Sequence, residues 1–308
     1  MHYRAWLSTC LLLCLSFALI GLACAPAPDS QPEAPAPASA SPTTPSNLAD
    51  ALTFHASFDH GVDADLALGD ASIYTAPAFD QREMSEPGIS GPDVSVAEGA
   101  GRFGDALQFS RKTAQATFYR AEKNVAYAES GWAGSVSFWL SLDPATDLEP
   151  GFCDPVQITD VRYNDAAIWV DFTDKNPRQF RLGVFGNLEV WNPEEIASDD
   201  NPFFLDRLIA VDAPPFKRGE WTHVVITFSG LNTEAGGQAS LYLNGSPLPK
   251  TVTDIDEPFT WELQQAAIRV GVSYVGLFDD LALFNRALTA SEVSELYALD
   301  GGVGSLHR

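Results

Sequence analysis

The feature that most constrains the fold is a two-residue alternation of apolar side chains, which recurs from about residue 50 onward. In the stretch 135–142, Val136, Phe138, Leu140 and Leu142 share one face, and in 221–229 Thr222, Val224, Ile226 and Phe228 do the same. Ala239, Leu241 and Leu243 share a face and run into Asn244-Gly245. That dipeptide is a strong hairpin signal, because both central positions of the turn need a positive φ. Further strands are predicted near 52–58, 105–110, 115–119, 156–160, 166–173, 178–186, 188–192, 267–272 and 277–284. Helical spacing occurs once with force: Thr289-x-x-Glu292 is a capping box, and Val293, Leu296 and Tyr297 follow at helical intervals. Many short strands separated by turn residues predict an all-β fold. The expected architecture is a two-sheet antiparallel jelly-roll sandwich over 50–300, with a short C-terminal helix and a tail at 301–308.

The first 49 residues read differently. Arg4 precedes an apolar run from Leu11 to Leu22, the pattern of a secretory signal over 1–24. Its end, Gly21-Leu22-Ala23-Cys24, resembles the lipobox of bacterial lipoproteins, with Gly21 where a larger aliphatic residue is usual. The resemblance implies lipidation of Cys24 and anchoring at the bacterial outer membrane or cell surface; a cut after Ala25, giving plain secretion, is the alternative. Residues 25–49 form a Pro/Ala/Ser-rich tether with too few bulky apolar side chains to offset the entropy of ordering.

Charge narrows the partners. With 41 acidic against 18 basic residues and a net charge of −23, the chain repels phosphate backbones and anionic lipid. No nucleic-acid partner is expected, and membrane contact is expected only through the N-terminal lipid. Past the leader Cys153 stands alone, so no disulfide can form within the folded region.

Six segments, in order, resemble the laminin-G-like, concanavalin A-like jelly-roll family near its pentraxin branch. They are Phe58-Asp59-His60-Gly61, the Gly101–Phe109 stretch GRFGDALQF, Ser137-Phe138-Trp139, Gly219–Val225 (GEWTHVV), Leu241–Gly245 (LYLNG) and Gly276–Leu288. Each segment is weak alone; the ordered series is specific for fold and says little about function. The resemblance also implies one Ca²⁺ in many such domains, held by carboxylates and backbone carbonyls. Asp59 of the first strand, with Asp279 and Asp280 of the last, are the candidate ligands, since terminal strands often neighbour each other. Alternation puts Asp279 on the face of Leu281 and Leu283, where a carboxylate needs a cation or donors. The competing reading has Asp279 hydrogen-bonded to backbone and Asp280 in water.

Enzyme signatures are weak. The paired carboxylates at alternating strand positions that serve glycosidases of this fold, Glu-x-Asp-x-Glu and its variant, do not occur. There is no Gly-x-Ser-x-Gly, and Cys153 has no histidine nearby in sequence. A binding face is the better expectation. If Ile168, Val170 and Phe172 point to the core, Trp169 and Asp171 point away; Phe180, Leu182 and Val184 inward leave Arg181 and Phe185 outward. Val190 inward leaves Glu189 and Trp191 outward. Aromatics mixed with charged groups on one sheet face suit sugar recognition, unless a loop or the second sheet covers them. The chain is therefore expected to be a binding module for glycan or extracellular protein, with calcium assistance. The alternatives are a polysaccharide hydrolase or lyase with an unfamiliar site, and a structural envelope protein.

Overall fold

A computed structural model describes residues 47–307. The leader, Cys24 and the tether up to residue 46 lie outside the described residues. The rest is a sandwich of two antiparallel sheets. The first sheet runs in the order Ser246–Ile255, Gly237–Leu243, Thr222–Leu231, Trp132–Ser141, Gly276–Phe284, Leu52–Ala56, Leu66–Ala67; the hairpin of Val94–Ala97 and Ala106–Phe109 joins the start of Gly276–Phe284. The second runs Ile209–Val211, Phe180–Phe185, Ala167–Phe172, Cys153–Thr159, Ala267–Val272, Ala116–Arg120, Ile73–Ala76, Glu86–Pro87.

The alternation sets the layers. Val136 and Phe138 lie opposite Ile226 and Val224 in register, and these rows face Val156, Ile158, Ile168, Val170 and Leu182 of the second sheet across one continuous core. Each large side chain sealed there contributes about 1.5–3 kcal/mol. Asn244 and Gly245 sit at φ +49° and +76° between two paired strands, as the hairpin signal requires. Cys153 is buried as a free thiol, and burial pushes its pKa well up, which leaves it a small apolar filler.

The C-terminal helix, Ala290–Tyr297, packs on the outer face of the first sheet. Val293 and Leu296 bury against Val225, Tyr242, Ala282 and Phe284. Leu48 and Val303 join the same cluster, so the folded unit starts before residue 50 and continues past residue 300. The capping box forms: Thr289 Oγ1 accepts from Glu292 N (3.3 Å), and Glu292 Oε2 accepts from Thr289 N (2.8 Å). Arg286 donates to both oxygens of Glu292 (2.8 and 2.7 Å), holding that carboxyl down at about 2. Thr289→Ala is expected to cost about 1 kcal/mol in urea unfolding; an unchanged midpoint would show that packing alone holds the helix.

Two expectations fail here. Residues 188–192 are not a strand: Leu188–Trp191 is one helical turn. Leu188 and Trp191, three apart, turn inward together, whereas Val190 is 48% exposed. The inward placement of Asp279 fails as well. A bulge at Asp280, with φ +52°, shifts the register between Asp279 and Ala282. Phe278 and Leu281 therefore both reach the core, and Asp279 lies opposite Trp139 on the other face.

Candidate functional site: a polar cleft on the second sheet

The outer face of the second sheet carries an ordered set of polar side chains, because the inward apolar rows leave alternate positions facing out. Asp171 lies opposite Arg181 in register, and Gln157 lies between Trp169 and Arg269 on the flanking strands. Arg181 grips Asp171 with two bonds, Nε to Oδ1 at 2.9 Å and Nη2 to Oδ2 at 2.5 Å. Beside them Gln157 donates to Asp154 Oδ2 (2.5 Å) and accepts from Arg269 Nη1 (2.6 Å), and Arg269 Nη2 donates to the Val161 carbonyl (2.8 Å). Burial and the nearby Asp171 carboxylate push the Asp154 carboxyl upward. Burial and the repulsion of Arg82 bring Arg269 down to about 9.

Above this floor lies a cleft of about 2060 Å³. One wall is the loop after Cys153–Thr159, which carries Asp160 and the 40% exposed ring of Tyr163; Phe152, 38% exposed, stands at another edge. The segment 187–200 adjoins that loop and continues the wall, with Tyr163 Oη 3.0 Å from Ser198 Oγ and Leu188 N donating to Asp165 Oδ1 (2.8 Å). Several polar atoms at the cleft have no hydrogen-bond partner among the described residues: Trp169 Nε1, Arg82 Nη1, Arg269 Nε, Asp160 Oδ1 and Asn164 Oδ1. Trp169, Arg269 and Asp160 are each more than nine-tenths buried. Groups held that way are costly unless something completes their bonding.

Of the six binding residues expected from sequence, Trp169, Asp171, Arg181 and Glu189 line this cleft. Phe185 and Trp191 do not, and the expectation of an open aromatic face is corrected. Residues 188–208 fold back over the sheet, and Trp169, Phe185, Trp191, Phe204 and Leu208 form a second, smaller core beneath them. Phe204 stacks on Phe185 at 4.7 Å, Trp191 Nε1 donates to the Asn164 carbonyl (3.0 Å), and Arg207 clamps Glu257 with two 2.8 Å bonds. Trp169 is 1% exposed. Its indole lies flat across Gly183, where an added Cβ would come within 2.2 Å of the ring. Sequence reasoning passed over Asp154, Gln157, Asp160 and Arg269; inward Ile268 and Val270 leave Arg269 outward by the same alternation.

The three carboxylates expected to hold calcium are placed apart in role. Asp279 Oδ2 accepts from the Arg102 and Phe103 amides (2.6 and 3.1 Å), and burial with the neighbouring Asp280 charge raises its pKa to about 7. Asp59 Oδ1 accepts from the Asp105 amide (2.8 Å). Asp280 Oδ1 lies 2.8 Å from His55 Nε2, and its Oδ2 accepts from Val303 N. Asp59 and Asp280 border one small cavity with His55 and His307. Among the described residues, no group of three or more His, Cys, Asp or Glu side chains is arranged to hold a metal ion.

Residues 120–294 match the family model of the concanavalin A-like lectin/glucanases superfamily, in its laminin-G branch. The chain belongs to this family. No curated protein sequence matches it. Among solved structures, this laminin-G-like chain is similar to the botulinum neurotoxin DC binding domain in complex with rat synaptotagmin II. That match has 12% identity over 84% of this chain and 52% of the other, with a TM-score of 0.52. The binding domain of botulinum neurotoxin serotype D matches at 13% identity over 81% and 51%, with a TM-score of 0.51. Domain 4 of AbnA, an extracellular arabinanase from Geobacillus stearothermophilus, in complex with arabinotriose, matches at 18% identity over 81% and 98%, with a TM-score of 0.48. This laminin-G-like chain spans about half the length of the toxin binding domains it matches. At these identities the likeness is one of fold.

Proposed function

We propose that the chain is a carbohydrate-binding module and that the cleft on the second sheet is its ligand site. The observation that carries this reading is the polar floor. Asp171–Arg181 and Asp154–Gln157–Arg269 are fixed on neighbouring strands, with unpartnered donors and acceptors beside them. Side chains locked by one another on a rigid sheet are pre-organised, and a pre-organised array of donors and acceptors suits the hydroxyls of a sugar. The partly exposed rings of Tyr163 and Phe152, the latter with Arg181 over one face, stand at the rim where the apolar face of a pyranose could pack. The volume exceeds the roughly 300–1,000 Å³ usual for small-ligand pockets, which favours an oligosaccharide over a single sugar.

The test is a glycan array followed by calorimetry on the full chain. Tyr163→Ala and Phe152→Ala are each expected to weaken the leading hit about tenfold while the chain stays folded, with a small fall in melting temperature because each ring also packs on the fold, Tyr163 against Trp169 and Phe152 under Arg181. Binding indifferent to both substitutions would count against the cleft. A second reading, glycoside hydrolysis, draws on Asp154, whose carboxyl is held toward its protonated form by burial and by the neighbouring, arginine-bound Asp171. New reducing ends released from the bound oligosaccharide, and lost in Asp154→Asn, would favour that reading over simple retention.

A further inference from the structure

We propose that the cleft selects its ligand by charge and takes an amino-sugar oligosaccharide, with free ammonium groups, in preference to its N-acetylated or uronic counterparts. This rests on the carbohydrate reading above and names the class of sugar. Ten Asp and Glu side chains line the cleft against four arginines, with no lysine among the lining residues. Three of the arginines already bond protein groups: Arg181 both oxygens of Asp171, Arg269 Gln157 and the Val161 carbonyl, and Arg82 the Asp160 carbonyl, with Arg82 Nη1 and Arg269 Nε the buried nitrogens left without a partner among the described residues. The mouth, by contrast, presents exposed carboxylates at Asp80, Glu189, Asp199, Asp200 and Glu262. A concave surface lined mostly by one sign of charge concentrates the opposite sign, and the net charge of −23 on the whole chain adds to that field.

A crowd of surface acids would say little by itself. The second observation is Asp160, 6% exposed at the cleft wall. Its Oδ2 accepts from the Glu262 amide (2.9 Å), and its Oδ1 has no partner among the described residues. Asn164 leaves Oδ1 unpartnered beside the same cleft. A buried carboxylate oxygen needs a donor, and a donor that also carries positive charge serves it best. Trp169 Nε1, Arg82 Nη1 and Arg269 Nε have the reverse need, an acceptor. An amino sugar carries both: ammonium groups for Asp160 and Asn164, hydroxyl oxygens for Trp169 and Arg269. A uronic sugar would bring its carboxylate into a field of its own sign.

The experiment is titration calorimetry on the full chain with three oligomers of equal length: glucosamine, N-acetylglucosamine and galacturonate. The glucosamine oligomer is expected to bind at least about tenfold more tightly than the acetylated one, an advantage that shrinks as salt is raised; the galacturonate oligomer should give no heat. Asp160→Asn is expected to lose more affinity for the glucosamine oligomer than for the acetylated one. The exposed double substitution Asp199→Asn/Asp200→Asn makes the same comparison where Asp160→Asn impairs folding. Equal affinity for the amino and acetylated oligomers overturns this inference and leaves the carbohydrate reading standing. Silence from all three, with binding of an oligolysine peptide instead, overturns both and assigns the cleft to a basic polypeptide.

Discussion

Arg181→Leu is expected to destabilise the folded chain by about 3–5 kcal/mol. The guanidinium and the Asp171 carboxylate are both nearly sealed from water, with side-chain exposures of 8% and 5%. Arg181 satisfies both oxygens of Asp171. Removing it strands a carboxylate at the floor of a cleft where burial and Asp171 already push the neighbouring Asp154 carboxyl upward. The cost comes from that stranded charge rather than from losing a favourable pair, because desolvating two ions consumes most of their attraction. Two controls follow. The double variant Asp171→Leu/Arg181→Leu, which removes both charges, should recover much of the loss. Arg181→Lys should fall between, since an ammonium cannot offer the forked pair of donors. Urea unfolding at neutral pH reads all three. A loss below about 1 kcal/mol in Arg181→Leu, or a double variant no better than the single, would mean that water or a shifted proton relieves Asp171.

The same ion pair shows what was legible in the residues beforehand. Period-two alternation located the inter-sheet core and placed Trp169, Asp171, Arg181 and Phe185 off it, because that inference depends only on the pleat. The capping box at Thr289 and the hairpin at Asn244-Gly245 were readable for the same reason: both are local chemistry. What covers an outward face is not local. Nothing near Trp169 announces that residues 188–208 fold back upon it, and the short run Leu188-Glu189-Val190-Trp191 satisfies strand alternation as well as one helical turn. Tertiary burial of Leu188 and Trp191 decided for the helix. The bulge at Asp280 was hidden because a positive φ at a non-glycine residue leaves little trace in composition. Asp154 is hidden because Pro155 and the register shift between Val170 and Phe172 blur the alternation there, whereas inward Val156 and Ile158 leave Gln157 outward by the plain alternation.

Acid should destabilise this chain in a way that one histidine controls. His223, 1% exposed, lies opposite Trp139 in register and stacks on it at 4.6 Å, with Tyr297 of the C-terminal helix on the same ring system. Its Nε2 is 2.9 Å from Ser137 Oγ, and its Nδ1 has no partner among the described residues. Burial alone lowers its pKa from the ordinary 6.5 to about 3. Through that window the unfolded chain takes up a proton that the folded chain refuses, so the unfolded state binds more protons and stability falls as the pH falls. At 1.36 kcal/mol for each pKa unit, the loss between pH 6.5 and 3 reaches roughly 4 kcal/mol. His223→Gln keeps a side-chain amide within reach of Ser137 and cannot titrate. Its stability curve is therefore expected to run flatter than the parent's from pH 6.5 downward, while carboxylate contributions, common to both, cancel in the difference. Urea midpoints across that range supply the comparison, and the imidazole's own NMR titration checks the cause. Parallel curves, or a His223 titration near 6.5, would mean that water reaches Nδ1 and that the ring accepts its proton without leaving the stack.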